Sequence, residues 1–116
     1  MPQSTRTRGV CLAISLLLPL TGLAAAPVMA GEDKAHEQGR QLFLEGAQPT
    51  CGTCHALEDA GTSGAIGPNL DNLQPTEKAV RSAVRDGVGV MPPFGDSLSD
   101  EEIEAIAKYV VSVTQD

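Results

Sequence analysis

The chain has no tryptophan, one tyrosine and two phenylalanines among its 116 residues. It is also short of basic residues, with eight Lys and Arg against fifteen Asp and Glu and a net charge of −7. The second shortage argues against nucleic acid, whose binding depends on neutralising phosphates with Lys and Arg. It favours a protein partner with a basic docking face, because opposite fields speed encounter. No stretch alternates polar and apolar residues over a convincing length, so the expected class is all-α. With three Cys, three Met and two His, any site built on sulfur or imidazole has few positions to draw on.

The N-terminal segment differs from the rest. Arg6 and Arg8 precede an uncharged, mostly apolar run from Val10 to Ala26, and small residues then lead through Val28-Met29-Ala30 to the charged Gly31-Glu32-Asp33-Lys34. Basic, apolar and small-residue regions in that order predict a secretory signal peptide over residues 1–30, cleaved after Ala30. An uncleaved anchor is the rival, but this run contains Pro19 and Gly22 and falls short of the ~20 apolar residues a spanning helix wants. Thr7 separates Arg6 from Arg8, so no twin-arginine signal is present. The expected product is one periplasmic domain, residues 31–116, without a stable membrane anchor. Cleavage removes Cys11, Met1 and Met29, which leaves Cys51 and Cys54 as the thiols and Met91 as the thioether. It also removes Arg6 and Arg8 and so deepens the negative charge by two. A domain this small and this poor in rings is marginal alone, and such chains often need a disulfide or a cofactor.

The stretch Cys51-Gly52-Thr53-Cys54-His55 supplies a candidate. Two thiols three positions apart, followed by an imidazole, form the attachment pattern of a c-type haem. Each thiol can add to one porphyrin vinyl group, and His55 then reaches the iron from one face. Three rivals use the same thiols. A redox-active dithiol expects a βαβ context, which is not visible. A zinc site needs a fourth ligand at ordinary spacing, and outside the motif the domain offers only His36. A plain disulfide is open to an exported protein.

Residues 31–46 read as a first helix, with Ala35, Leu42, Phe43 and Gly46 near one face. Gly39 costs about 1 kcal/mol there relative to Ala, which points either to a close backbone approach beside Phe43 or to a merely tolerated glycine. Pro49 suits a turn into the motif. Residues 56–69, with glycines at 61, 64 and 67, read as an irregular loop along a ring edge, closed by Gly67-Pro68-Asn69-Leu70. Residues 70–73 suggest one helical turn. Thr76 is the expected N-cap of a helix ending at Gly87. The loop Val88-Gly89-Val90-Met91-Pro92-Pro93-Phe94-Gly95 is apolar yet excludes regular structure, as though it covered something. Ser99 and Glu102 form a capping box for the last helix, with Leu98 and Ile103 as its staple. Ile103, Ile106, Ala107, Val110 and Val113 make its core face.

The second iron ligand follows by elimination. Met91 sits in the apolar loop, whereas His36 lies on a polar helix and reads as a solvated surface residue. Met is more often core filler than ligand, but no other thioether competes here. A His/Met pair fills both axial positions and raises the potential, which suits electron transfer. The other ring nitrogen of His55 should donate to an acceptor that fixes the tautomer; the carbonyl of Pro68 is the candidate. Asp100, Glu101, Glu102 and Glu104 crowd the start of the last helix, where acids stabilise the dipole; a docking patch is the sharper alternative.

With these residues assembled, the domain resembles the class I c-type cytochromes. The resemblance rests on Gly39 and Phe43, Cys51 to His55, Gly67-Pro68-Asn69-Leu70, Met91-Pro92 and Tyr109. It implies a class I cytochrome c fold, with about three main helices and long loops around one covalent haem c. It also implies that the first and last helices cross at Gly39 and Phe43 against Tyr109, that Pro68 supports His55, and that Met91 is the distal ligand. There is no tryptophan to hold a haem propionate; Arg40, Arg81 and Arg85 are the available cations. More narrowly, Asp59-Ala60-Gly61, Gly67 to Asp71 and Gly87 to Pro92 are similar to the haem subunit of bacterial sulfite dehydrogenases. The expected function is a periplasmic one-electron carrier without substrate chemistry of its own. The alternative is the haem subunit of an oxidoreductase complex, taking electrons from a dehydrogenase catalytic subunit. A haem sensor or peroxidase-like enzyme would need an open sixth position.

Overall fold

A computed structural model describes residues 29–115. Apart from Met29 and Ala30, the expected leader lies outside the described residues. The order of elements is α1 (Met29–Glu45), α2 (Cys51–Cys54), β1 (His55–Leu57), β2 (Thr62–Ala65), α3 (Leu70–Leu73), α4 (Glu77–Asp86) and α5 (Asp100–Thr114). The three long helices are those the periodicity predicts, with α1 starting two residues before the expected 31–46 span. Among the described residues, no helix is long and apolar enough to cross a membrane.

α1 and α5 cross at Gly39. A Cβ there would overlap the Tyr109 Cβ and stand 2.5 Å from the Ala105 carbonyl oxygen, so the two backbones approach only because the position is bare. Phe43, one turn on, is fully buried and meets Tyr109 edge to face, with centroids 6.1 Å apart at 63°. Such pairs add to the burial of their area. The packed stripe of α1 runs through His36, Gly39, Arg40 and Phe43, while Ala35 is exposed. Leu42 and Gly46 are half-buried as expected, so of the residues expected on this face only Ala35 lies off it.

Capping fixes the starts of α4 and α5. Thr76 Oγ1 accepts from the Ala79 amide at 3.2 Å. Ser99 and Glu102 form the reciprocal box, at 3.2 Å and 2.8 Å. Ile103, Ile106, Ala107, Tyr109 and Val110 of α5 are buried with Leu98, Val84 and Leu57 in one core.

The segment expected as an irregular loop contains a small antiparallel hairpin. His55 pairs with Ala65, Ala56 with Ser63 and Leu57 with Thr62, with a bulge between His55 and Ala56. Its turn closes by a 2.9 Å bond from the Gly61 amide to the Glu58 carbonyl, with Gly61 at φ 68°. Strands of three and four residues carry too little alternation to be read from sequence, so a two-strand ribbon interrupts an otherwise helical domain.

Candidate functional site

Between α2, α3, α4, α5 and the loop before α5 lies a cleft of about 300 Å³. Leu70, Leu73, Val80, Val84, Ile106 and Val110 are among its apolar walls, Phe43 reaches it from α1, and among the described residues no Asp, Glu, Lys or Arg lines it. Cys51, Cys54, His55, Pro68 and Met91 all face this one space.

The motif is held from below by the hairpin. α2 is a single turn carrying both thiols, which are free. Gly64 lies against the Cys54–His55 peptide, where a Cβ would come within 2.5 Å of the Cys54 carbonyl carbon. The Gly67 amide donates to the Cys54 carbonyl at 2.8 Å. Thr62 Oγ1 donates to the His55 carbonyl at 2.9 Å and accepts from the Leu57 amide at 3.1 Å. Burial pushes the Cys51 thiol up to about 11, with the nearby Cys54 adding to it against a lowering backbone hydrogen bond.

His55 is fixed from two sides. Its Nδ1 lies 2.8 Å from the Pro68 carbonyl oxygen. A carbonyl only accepts, so Nδ1 carries the proton and the Nε2 lone pair is the one left for a metal. Gly67 packs flat on the ring; a Cβ would stand 2.6 Å from Cε1.

Met91 comes from the loop between α4 and α5. Val88 and Met91 bond each other in both directions, at 3.1 Å and 2.9 Å, around Gly89 at φ 57°. This tight turn is tied back to α4 by Phe94 N to Val84 O at 2.8 Å and Gly95 N to Arg85 O at 3.1 Å. The loop is thus a fixed wall of the cleft.

Other expected participants lie elsewhere. His36 does not line the cleft; its side chain is 39% exposed, as expected of a surface histidine. Its ring stands edge-on to Tyr109 with centroids 5.1 Å apart, and Nε2 is 4.0 Å from Asp59 Oδ2. Tyr109 donates to the same Asp59 oxygen at 2.6 Å, and Arg40 Nε is 3.9 Å from it. Arg81 pairs with Glu77, and Arg85 with Asp100 at 2.7 Å. None of the three arginines lines the cleft. Of the acids at the start of α5, Glu102 serves the capping box, Asp100 holds Arg85, and Glu104 pairs with Lys108. The Gly67 contact and the Thr62 bracket were not legible as site features; the three-residue glycine spacing was their only trace.

Two thiols, an imidazole with a free lone pair, a thioether and an apolar wall in one cleft define a c-type cytochrome. A family described as "Cytochrome C oxidase, cbb3-type, subunit III" matches residues 34–110, and the chain belongs to that cytochrome c family. Membership carries the fold and the cofactor, not an oxidase assembly. The chain is 33% identical over 89 residues to cytochrome c550 of Pseudomonas aeruginosa, covering 70% of this chain and 60% of that one. It is 30% identical over 103 residues to the 4-cresol dehydrogenase [hydroxylating] cytochrome c subunit of Pseudomonas putida, covering 88% and 82%. The crystal structure of the c-type cytochrome SorU from Sinorhizobium meliloti superposes with a TM-score of 0.68 at 46% identity, over 71% of this chain and 93% of that one. The protein is an electron-transfer protein whose cofactor is covalently bound haem c.

Proposed function

We propose that residues 31–116 form a periplasmic one-electron carrier released from a leader at residues 1–30. In this reading Cys51 and Cys54 hold haem c as thioethers, while His55 Nε2 and the Met91 sulfur take the two axial positions. Pro68 keeps the His55 proton on Nδ1. The observation that carries the reading is the convergence of these five residues on one apolar cleft that His36 does not reach. Haem c supplies a one-electron Fe(III)/Fe(II) couple when bound. With His55 and Met91 both serving as iron ligands, no position would stay open for oxygen or peroxide, and the soft sulfur would favour ferrous iron. The acidic surface selects a redox partner with a basic docking face.

The test is the purified exported protein itself. Mass spectrometry should give one haem joined by two thioether links and an N-terminus at Gly31. Its reduced form should bind carbon monoxide slowly, as a six-coordinate haem does. Binding at the rate of a five-coordinate haem would remove Met91 as a stable ligand.

A second reading makes the chain the haem subunit of a dehydrogenase complex, receiving electrons from a catalytic subunit. The likeness to the 4-cresol dehydrogenase cytochrome c subunit, over 88% of this chain, favours it. The resemblance of Asp59-Ala60-Gly61, Gly67 to Asp71 and Gly87 to Pro92 to the haem subunits of sulfite dehydrogenases points the same way. Size-exclusion of native extract separates the two readings, since co-elution with a larger catalytic chain supports the subunit and elution at the monomer position supports the carrier.

A further inference from the structure

The carboxyl end of α5 meets the turn after α3, and two glutamines tie them together in both directions. Gln74 Nε2 donates to the Thr114 carbonyl at 2.9 Å, and Gln115 Nε2 donates to the Pro75 carbonyl at 2.9 Å. Thr114 is the last residue of α5, where helix carbonyls run out of intrahelical partners. Gln74 thus caps α5 from forty residues away, and Gln115 reaches back to the turn.

Gln74 is also the one non-glycine residue with positive φ among those described, at φ 47° and ψ 59°. A side chain in that conformation costs roughly 1–2 kcal/mol, and glycine or asparagine is its usual occupant. Glycine would make the turn without strain but could not reach Thr114. The strain is kept together with a side-chain bond that offsets it.

What this turn holds is a wall of the cleft. Leu70, Leu73 and Pro75 line it on one side, and Ile106 and Val110 of α5 line it on another. α3 is a single four-residue turn, too short to stand on its own hydrogen bonds, and it starts two residues after the Pro68 carbonyl that receives the His55 proton.

We propose that Gln74 and Gln115 form a latch that positions the Pro68–Pro75 wall against the haem by fastening it to α5. They are positioning residues, since neither lines the cleft. Closing the wall keeps water from the ring, and low local polarity favours the less charged ferrous state. The inference rests on the haem c reading of the cleft.

The test compares wild-type holoprotein with Gln115→Ala, Gln115→Glu and Gln74→Gly, by potentiometric titration, proton NMR of the ferric form and amide exchange. Gln115→Glu keeps the shape and removes the N–H donor. Each variant should lower the midpoint potential, move the hyperfine-shifted haem signals and speed exchange at Leu73 and Gln74 roughly tenfold, as loss of one hydrogen bond implies. The Gln74→Gly/Gln115→Ala double variant should fall no further than the larger single effect, because both break one latch. A lower melting temperature with unchanged potential and unchanged hyperfine pattern would overturn the proposal and leave a simple helix cap. Gln115→Ala and Gln115→Glu leave the turn backbone untouched and carry the test if Gln74→Gly yields no holoprotein. Wild-type protein without thioether-linked haem would overturn the underlying reading instead, before any variant is compared.

Discussion

His55 donates its Nδ1 proton to the Pro68 carbonyl across 2.8 Å, and the glycine beside that proline is what lets the ring lie there. A Cβ on Gly67 would stand 2.6 Å from His55 Cε1 and 2.8 Å from Nδ1. The ring is held by its bond to Pro68 and makes room only by turning away from it. Gly67→Ala should therefore rotate the imidazole, lengthen the bond to Pro68 and cost about 1–3 kcal/mol, as overpacking does. Thermal unfolding and the ratio of attached haem to protein measure it. An unchanged melting temperature with full haem loading would show that the ring has slack.

Met91 offers a cleaner separation of identity from position. Met91→Ala should lower the potential, open the sixth position to carbon monoxide and abolish the thioether-to-iron charge-transfer band. Gly87→Ala leaves the sulfur in place but strains the loop that presents it. Gly87 has φ 73°, and its Cβ would lie 2.8 Å from the Met91 carbonyl oxygen and 2.9 Å from the Pro93 nitrogen. The band should weaken in that variant without vanishing. A full-strength band in Met91→Ala would remove this residue from the iron.

What was legible in the chain is what is written in neighbouring residues. Cys51 to His55, the Ser99–Glu102 box and the Met91 loop each declare themselves within a few positions, because the chemistry they serve is local. His36 is the surface residue expected, but its contact with Tyr109, seventy-three residues on, is not legible, because a polar helix face gives no sign of it. The hairpin escaped because its strands are shorter than any pattern, although Gly64 and Gly67 are bare for reasons that only the folded neighbours explain. The Gln74–Gln115 pairing has no sequence signal at all, since surface glutamines are unremarkable until two distant ones meet. Gly39 stands between these cases: its cost inside a helix announced a close approach, and only the fold could say to what.

Gly39→Ala tests that approach directly. The new methyl would run into the Tyr109 Cβ and the Ala105 carbonyl, and backbone atoms cannot rotate away. The α1–α5 crossing must widen, at about 1–3 kcal/mol, even though alanine is the better helix former by about 1 kcal/mol. Denaturant unfolding of the holoprotein should therefore show a net loss of stability. A net gain would mean that the helices can slide apart freely.

Tyr109 gives a prediction with a sign in pH. Burial first, then its hydrogen bond to Asp59 and that carboxylate's charge, hold the phenol above its ordinary value of 10.0. A raised folded-state value means that the folded protein keeps the proton after the unfolded chain begins to lose it. The contribution to stability is complete below about pH 10 and falls as pH rises from there towards the folded value. Phenylalanine has no proton to lose. Tyr109→Phe should be less stable than wild type at pH 7, by about 1 kcal/mol for a partly exposed bond to a charged acceptor. The gap should close between about pH 10 and 12, because only the wild type has a phenol at this position to ionise there. Urea unfolding across that range measures both curves. If they stay parallel, the loss at high pH belongs to another group, and Tyr109 contributes its packing against Phe43 and His36 rather than its proton.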